Sequence, residues 1–203
     1  MSAIRHIVFD VGKVLVHYDP HLAYRDLIAD RRARETFLTE VCSSEWNVEQ
    51  DRGRSWEEAE AEALRRHPDK AELIRVYRTR WHLMVSHAYE DSVAILRGLI
   101  ARGNDVTLLT NFASDTFREA QTRFPFLAES RGVTVSGDVR LLKPDVEIYR
   151  RHAKDFALIP AATLFFDDSP KNVTGARDAG WNAEIFTDAS RMRADLKRYG
   201  MEV

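Results

Sequence analysis

Short apolar runs punctuate the chain. Ile4-Arg5-His6-Ile7-Val8-Phe9, Val106-Thr107-Leu108-Leu109, Thr163-Leu164-Phe165-Phe166 and Ala183-Glu184-Ile185-Phe186 are each too short for a helix, and Val133-Thr134-Val135 is a shorter version of the same pattern. Such runs read as strands buried in a sheet. After Ala88 they alternate with helical patterns: Asp91 to Ala101, closed by Gly103, then helices from Ser114, Asp145, Pro170 and Asp188. Strand–helix alternation predicts a parallel sheet with helices on both faces, and the first run belongs to that sheet. Between His17 and Ser86 no strand pattern is found. This segment predicts helices from Pro20, over Arg31 to Val41, from Ser55, and from Pro68 or Asp69 to about Val85. Ser55-Trp56-Glu57-Glu58 fits a capping box, which fixes the start of the third. The expected architecture is α/β: a core of residues 1–16 and 87–203, with a small all-helical cap, residues 17–86, inserted after the first strand and lying over the sheet's crevice.

The polar residues that end the runs carry the chemistry. Asp10 closes the first and Asp167-Asp168 the run at 163–166. In a parallel sheet the crevice lies beyond the strands' carboxyl ends, where acidic residues from distant parts of the chain can meet. Three carboxylates there would repel one another unless a hard cation such as Mg²⁺ sat between them. Thr110-Asn111, ending another strand, offers a hydroxyl and backbone N–H groups to an anion, and Lys143 adds a positive charge.

Composition narrows the partners. Of 203 residues 44% are hydrophobic and 31% charged, and the formal net charge of −2 gives no general attraction to nucleic acid or an acidic membrane. No stretch of about 18 apolar residues is present. The start Met1-Ser2-Ala3-Ile4-Arg5 runs straight into a strand without a signal-peptide pattern, so the expected location is cytoplasmic. Cys42 is the only cysteine, which excludes an internal disulfide and a thiolate-rich metal site, and it reads as a small buried hydrophobe. The Arg31-Arg32-Ala33-Arg34 and Arg65-Arg66-His67 runs have acidic neighbours and read as solvated helix faces. His17 and His21 have the spacing of a helical metal pair, but Pro20 between them assigns them to the entry into the cap. Gly175 to Gly180 echoes a dinucleotide fingerprint at the wrong end of a helix, and Gly180 reads as a C-cap.

Asp10, Thr110-Asn111, Lys143 and Asp167-Asp168, in that order along the chain, resemble the four sequence motifs of the haloacid dehalogenase-like (HAD) hydrolase superfamily, most of whose members are Mg²⁺-dependent phosphatases. The resemblance covers the whole chain and implies a Rossmann-like core with the helical cap of one subclass. It casts Asp10 as the nucleophile that forms an aspartyl-phosphate, and Asp10, the Gly12 carbonyl and Asp168 as metal ligands. Asp167 would hold a metal-bound water or orient the site, and Asn172 would orient it through its amide. Thr110, Asn111 and Lys143 would bind the phosphoryl group. The chain departs from the family at Gly12, where most phosphatases carry the Asp that protonates the leaving oxygen. An Asp-x-Gly branch exists, and here the rate is expected to depend steeply on the leaving group unless a cap residue or a water held by Asp167 supplies the proton.

The resemblance therefore implies a phosphomonoesterase acting on a small, sugar-like phosphorylated metabolite. Two alternatives accompany it. A 2-haloacid dehalogenase is disfavoured because those enzymes generally lack the doubled acid and carry an aromatic residue where this chain has Gly12. A non-catalytic phosphometabolite-binding protein is motivated by the missing acid, although Asp10, Lys143 and Asp168 are all retained. Specificity is expected from the cap, where Trp46, Asn47 and Gln50 fall in an irregular stretch between predicted helices; a Trp flanked by amides suits a sugar or other polar small molecule, and packing of the cap is the equal alternative for Trp46.

Overall fold

A computed structural model describes residues 3–202. Strands β1 (His6–Phe9), β2 (Asp105–Thr110), β3 (Val133–Val135), β4 (Thr163–Asp167) and β5 (Asn182–Ile185) form one sheet in the order β3-β2-β1-β4-β5. Every pairing is parallel, with Phe9 in register with Leu108 on one side and Phe166 on the other. The sheet alternates its side chains between two cores, as strand geometry requires. Ile7, Phe9, Leu108 and Phe166 pack on one face with residues of α6 (Glu90–Ala101) and α11 (Ala189–Arg198). Val8, Leu109 and Phe165 pack on the other with α9 (Val146–Asp155) and α10 (Pro170–Asp178). Burying each of these large side chains contributes about 1.5–3 kcal/mol.

The second core contains an ionisable group. His152 of α9 is completely buried, with Nε2 2.9 Å from Thr107 Oγ1 and Nδ1 2.8 Å from Thr134 Oγ1. Burial pushes its pKa down to about 3, so the ring is neutral and exchanges one donor and one acceptor with the two hydroxyls.

Between β1 and α6 the chain forms α1 (Arg31–Glu40), α2 (Ser44–Asp51), α3 (Trp56–Arg66), α4 (Ala71–Thr79) and the single turn α5 (Trp81–Met84). Asp30 caps α1 through the Ala33 N–H at 2.7 Å, and the Ser55–Glu58 capping box opens α3. Such caps contribute about 1 kcal/mol each. The ends of this segment meet: Val16 forms an antiparallel bridge with Ala88, the His17 N–H donates to the His87 carbonyl at 2.8 Å, and the Tyr89 N–H donates to the Leu15 carbonyl at 2.8 Å. The His17 ring stacks on His87 and lies 3.0 Å from the Tyr89 hydroxyl, while His21 accepts from Arg34, so the two histidines have separate partners. Cys42 is buried, and Gly180 caps α10 with φ +85°.

Three expectations are corrected. The helix expected from Pro20 is a 3-10 turn over Pro20–Ala23, capped by Asp19. The long helix expected to Val85 breaks at Arg80 into α4 and α5. The stretch read as irregular at Trp46, Asn47 and Gln50 is α2, whose N-cap Ser43 accepts from the Trp46 N–H at 3.2 Å. After β2 comes α7 (Ser114–Arg123), and after β3 the short α8 (Ser136–Val139).

Candidate active site

The carboxyl ends of β1, β2 and β4 converge, and Lys143 joins them from the loop before α9. Its ammonium is buried between two carboxylates, 2.8 Å from Asp10 Oδ1 and 2.6 Å from Asp167 Oδ2, and it also donates to the Leu109 carbonyl at 3.1 Å. Burial alone would lower the Lys143 pKa, but the two carboxylates outweigh it and hold the group protonated. Asn111 fixes the loop: its Nδ2 donates to the Lys143 carbonyl and its Oδ1 accepts from the Lys143 N–H, both at 2.9 Å. The Asn111 side chain is thus spent on holding Lys143, while Thr110 is buried and lines the cavity above Asp10.

Asp10 and Asp167 differ in what remains free. Asp10 Oδ1 takes both the Lys143 ammonium and the Val11 N–H at 2.7 Å, and no donor among the described residues occupies Oδ2. Asp167 is fully buried and both its oxygens are occupied. Oδ1 accepts from the Ser169 N–H at 2.8 Å and Asn172 Nδ2 at 2.9 Å; Oδ2 accepts from Lys143 and from Asn172 Nδ2 at 3.1 Å. The Asn172 amide thus reaches both Asp167 oxygens, and Asp167 is a counter-ion of Lys143. Burial pushes the Asp10 carboxyl up to about 7 against the pull of Lys143, with the Asp167 charge adding to the rise. Burial also raises Asp168, helped by Asp167 and opposed by Lys13.

The donor set fits a divalent cation. Asp10, Asp167 and Asp168 each offer an oxygen within 4.8 Å of the others, and with all three ionised Lys143 leaves a net charge of about two negative units in a buried site. Oxygen-only ligation and that charge suit a hard cation such as Mg²⁺. Gly12 lines the same space, and nothing lies within 4 Å of where its Cβ would be. No steric demand explains the glycine.

A cavity of about 100 Å³ lies over these groups, lined by Asp10, Gly12, Thr110 and Asn111 from below and by Tyr18, Asn47, Asp51, Trp56 and Trp81 from the helical segment. Of the residues expected to set specificity, Asn47 reaches it. Trp46 and Gln50 do not line it. The Trp46 ring is buried edge-on against Trp56 and Tyr77 and its indole N–H donates to the Ala59 carbonyl at 3.1 Å, so it packs the helices together. Gln50 is buried with Oε1 accepting from Arg54 Nε at 2.8 Å, and Arg54 also donates to the Trp46 carbonyl and pairs with Glu62. Helical spacing on α2 explains the split: positions 46 and 50, four apart, form the buried row, and positions 47 and 51, also four apart, form the adjoining row that faces the cavity. Asp51 escapes a reading of the chain that has no helix to place it on; the Ser43 cap followed by Asn47 and Asp51 four residues apart is the available signal.

The haloacid dehalogenase-like hydrolase family model matches residues 4–180. The chain belongs to this family. Among solved structures it is similar to the HAD family enzyme BT-2542 of Bacteroides thetaiotaomicron, with a TM-score of 0.77 and 21% identity over 97% of this chain and 100% of that one. The wild-type form of that enzyme in complex with magnesium and inorganic phosphate superposes with a TM-score of 0.73 at 21% identity, covering 93% and 98% of the two chains. An L-2-haloacid dehalogenase from Xanthobacter autotrophicus shares the fold less closely, with a TM-score of 0.62 and 19% identity over 96% of this chain and 83% of that one. In sequence, 96 residues are 33% identical to the phosphoserine phosphatase of Thermus thermophilus, spanning 47% of this chain and 39% of that protein. No helix among the described residues is long and apolar enough to cross a membrane.

Proposed function

We propose that this chain is a Mg²⁺-dependent phosphomonoesterase acting on a small, sugar-like phosphorylated metabolite. The observation that carries the reading is the pair of acids flanking a buried ammonium: Asp10, with no donor among the described residues on Oδ2, and Asp167 locking Lys143 against it. In its ionised form, which the Lys143 ammonium beside it favours, the Asp10 carboxylate needs no base to act as a nucleophile. Asp10 Oδ2 attacks phosphorus, the bond to the leaving oxygen breaks, and water then hydrolyses the aspartyl-phosphate. Lys143 keeps Asp10 aligned and offsets charge that develops on the phosphoryl oxygens, and Thr110 with the backbone N–H groups after it binds them. Asp10, the Gly12 carbonyl and Asp168 would hold the cation, which when bound neutralises phosphoryl charge and so lowers the barrier to attack by an anion.

The segment spanning residues 17–86 serves as the cap and supplies the specificity surface. A small volume lined by Asn47 and Asp51 beside Trp56 and Trp81 suits a compact molecule with hydroxyl groups and one apolar face. The test is a screen of purified protein against phosphorylated metabolites with Mg²⁺, with Asp10→Asn as control. Phosphate release by the wild type and none by the variant is expected. Halide release from 2-haloacids that persists with chelator would overturn the reading in favour of a dehalogenase, and tight phosphometabolite binding with no turnover would overturn it in favour of a binding protein.

A further inference from the structure

The family's usual proton donor is missing at Gly12, yet the cavity above Asp10 is not without an acid. Asp51 closes α2 and lines the same cavity as Asp10, Gly12 and Thr110. We infer that Asp51 is the general acid of this enzyme, giving its proton to the leaving oxygen from the cap side where relatives use a side chain from the core.

The carboxyl group sits on a fixed mount: its own backbone carbonyl accepts from Ser136 Oγ at 2.6 Å, and Ser136 Oγ in turn accepts from the Phe112 N–H at 2.8 Å, next to the Thr110-Asn111 strand end. Gly137 makes that approach close, since a Cβ there would lie 2.8 Å from the Ser114 nitrogen and 2.9 Å from the Phe112 carbonyl. The side chain is held as well, by Asn47 Nδ2 at 3.3 Å from Oδ2, and it lies near enough to the Ala113 N–H to feel it. A catalytic group tied by backbone contacts to the strand end that binds phosphate is preorganised. The environment keeps its proton available: burial pushes the Asp51 carboxyl up to about 7, against the Ala113 N–H and the Lys143 charge, which suits a group that must give a proton and then take one back near neutrality. Finally, the open space at Gly12 leaves the region between nucleophile and cap to the substrate.

The step balances. Asp10 Oδ2 bonds to phosphorus as the bond to the leaving oxygen breaks. The electron pair on that oxygen takes the Asp51 proton and the alcohol departs. Water then attacks the aspartyl-phosphate and gives a proton to the Asp51 carboxylate, and the Asp10–phosphorus bond breaks to release phosphate and the starting enzyme.

The inference rests on the phosphatase reading, and the experiment separates the two. Turnover with Mg²⁺ is measured for the wild type and Asp51→Asn across phosphomonoesters graded from dinitrophenyl through phenyl to alkyl phosphates. Asp51→Asn keeps the shape and an acceptor for the Ala113 N–H. Its kcat/KM is expected to fall on the order of 10²-fold or more on alkyl phosphates and less than tenfold on dinitrophenyl phosphate, so that the dependence on leaving-group pKa steepens. The double variant Gly12→Asp/Asp51→Asn is expected to flatten that dependence again, because the new carboxyl has room. Parallel dependences in wild type and Asp51→Asn, with any loss expressed in KM, would overturn the assignment of Asp51 while leaving the phosphatase reading intact. A wild type that releases phosphate from none of the esters would overturn the phosphatase reading itself.

Discussion

His152 should make the fold acid-sensitive by an amount its environment sets. In the native protein burial between Thr107 and Thr134 pushes its pKa down to about 3, whereas in the unfolded chain it returns to about 6.5. Between those values the unfolded state binds a proton that the native state refuses, so stability is full above pH 6.5 and is lost as pH falls towards 3. At pH 5 the imbalance is about 1.5 pH units, or roughly 2 kcal/mol. Other groups titrate over the same range, so the measurement is a difference of differences: urea unfolding of the wild type and His152→Gln, each at pH 7 and pH 5. Glutamine retains a donor and an acceptor without a proton to gain. Whatever its absolute stability, its loss between the two pH values should be smaller than the wild type's by roughly 2 kcal/mol, a midpoint difference of about 1 M urea at a slope of about 2 kcal/mol per M. Equal losses in the two proteins would refute the reasoning.

Asp10→Asn should reduce phosphate release below detection while the melting temperature stays level or rises, because one of the crowded carboxylates is neutralised; a phosphatase assay beside a thermal melt checks both. EDTA should remove activity and Mg²⁺ restore it, and Asp168→Ala should weaken Mg²⁺ binding in a calorimetric titration by tenfold or more. Gly175→Ala would place a Cβ 2.3 Å from the Pro144 carbonyl oxygen; a loss of about 1–3 kcal/mol is expected, with a fall in kcat because the displaced residue adjoins Lys143, read by chemical denaturation and steady-state kinetics.

Much of this is visible along the chain because strand ends in a parallel sheet are both local in sequence and convergent in space. Asp10, Thr110 and Asp167 each follow a run of buried-type residues, and sheet geometry alone brings them together. Lys143 and Asn172 precede or open helices and are legible from their order. What escapes detection depends on packing between elements. The α2 helix is short and polar, with Trp46 and Gln50 as its buried residues, so no apolar stripe announces it, and Asp51 cannot be placed over Asp10 without it. The break at Arg80 interrupts a helical pattern that no proline or glycine marks. Nothing near His152 in the chain marks its role, because its two threonine partners lie on different strands, 45 and 18 positions away.

The bridge between Val16 and Ala88 brings the ends of the inserted helices side by side on the rim of the sheet. A segment with adjoining ends asks little of the scaffold: the entropy of closing it grows only as the logarithm of its length, about 0.6 kcal/mol for each doubling. The central strand can therefore accept a larger, smaller or different unit at this junction without changing its partners. A replacement of the whole segment at this junction discards Asp51 with it. On the proposed role of Asp51 such a replacement also removes the proton donor, which makes Gly12 the position where a compensating change should be sought.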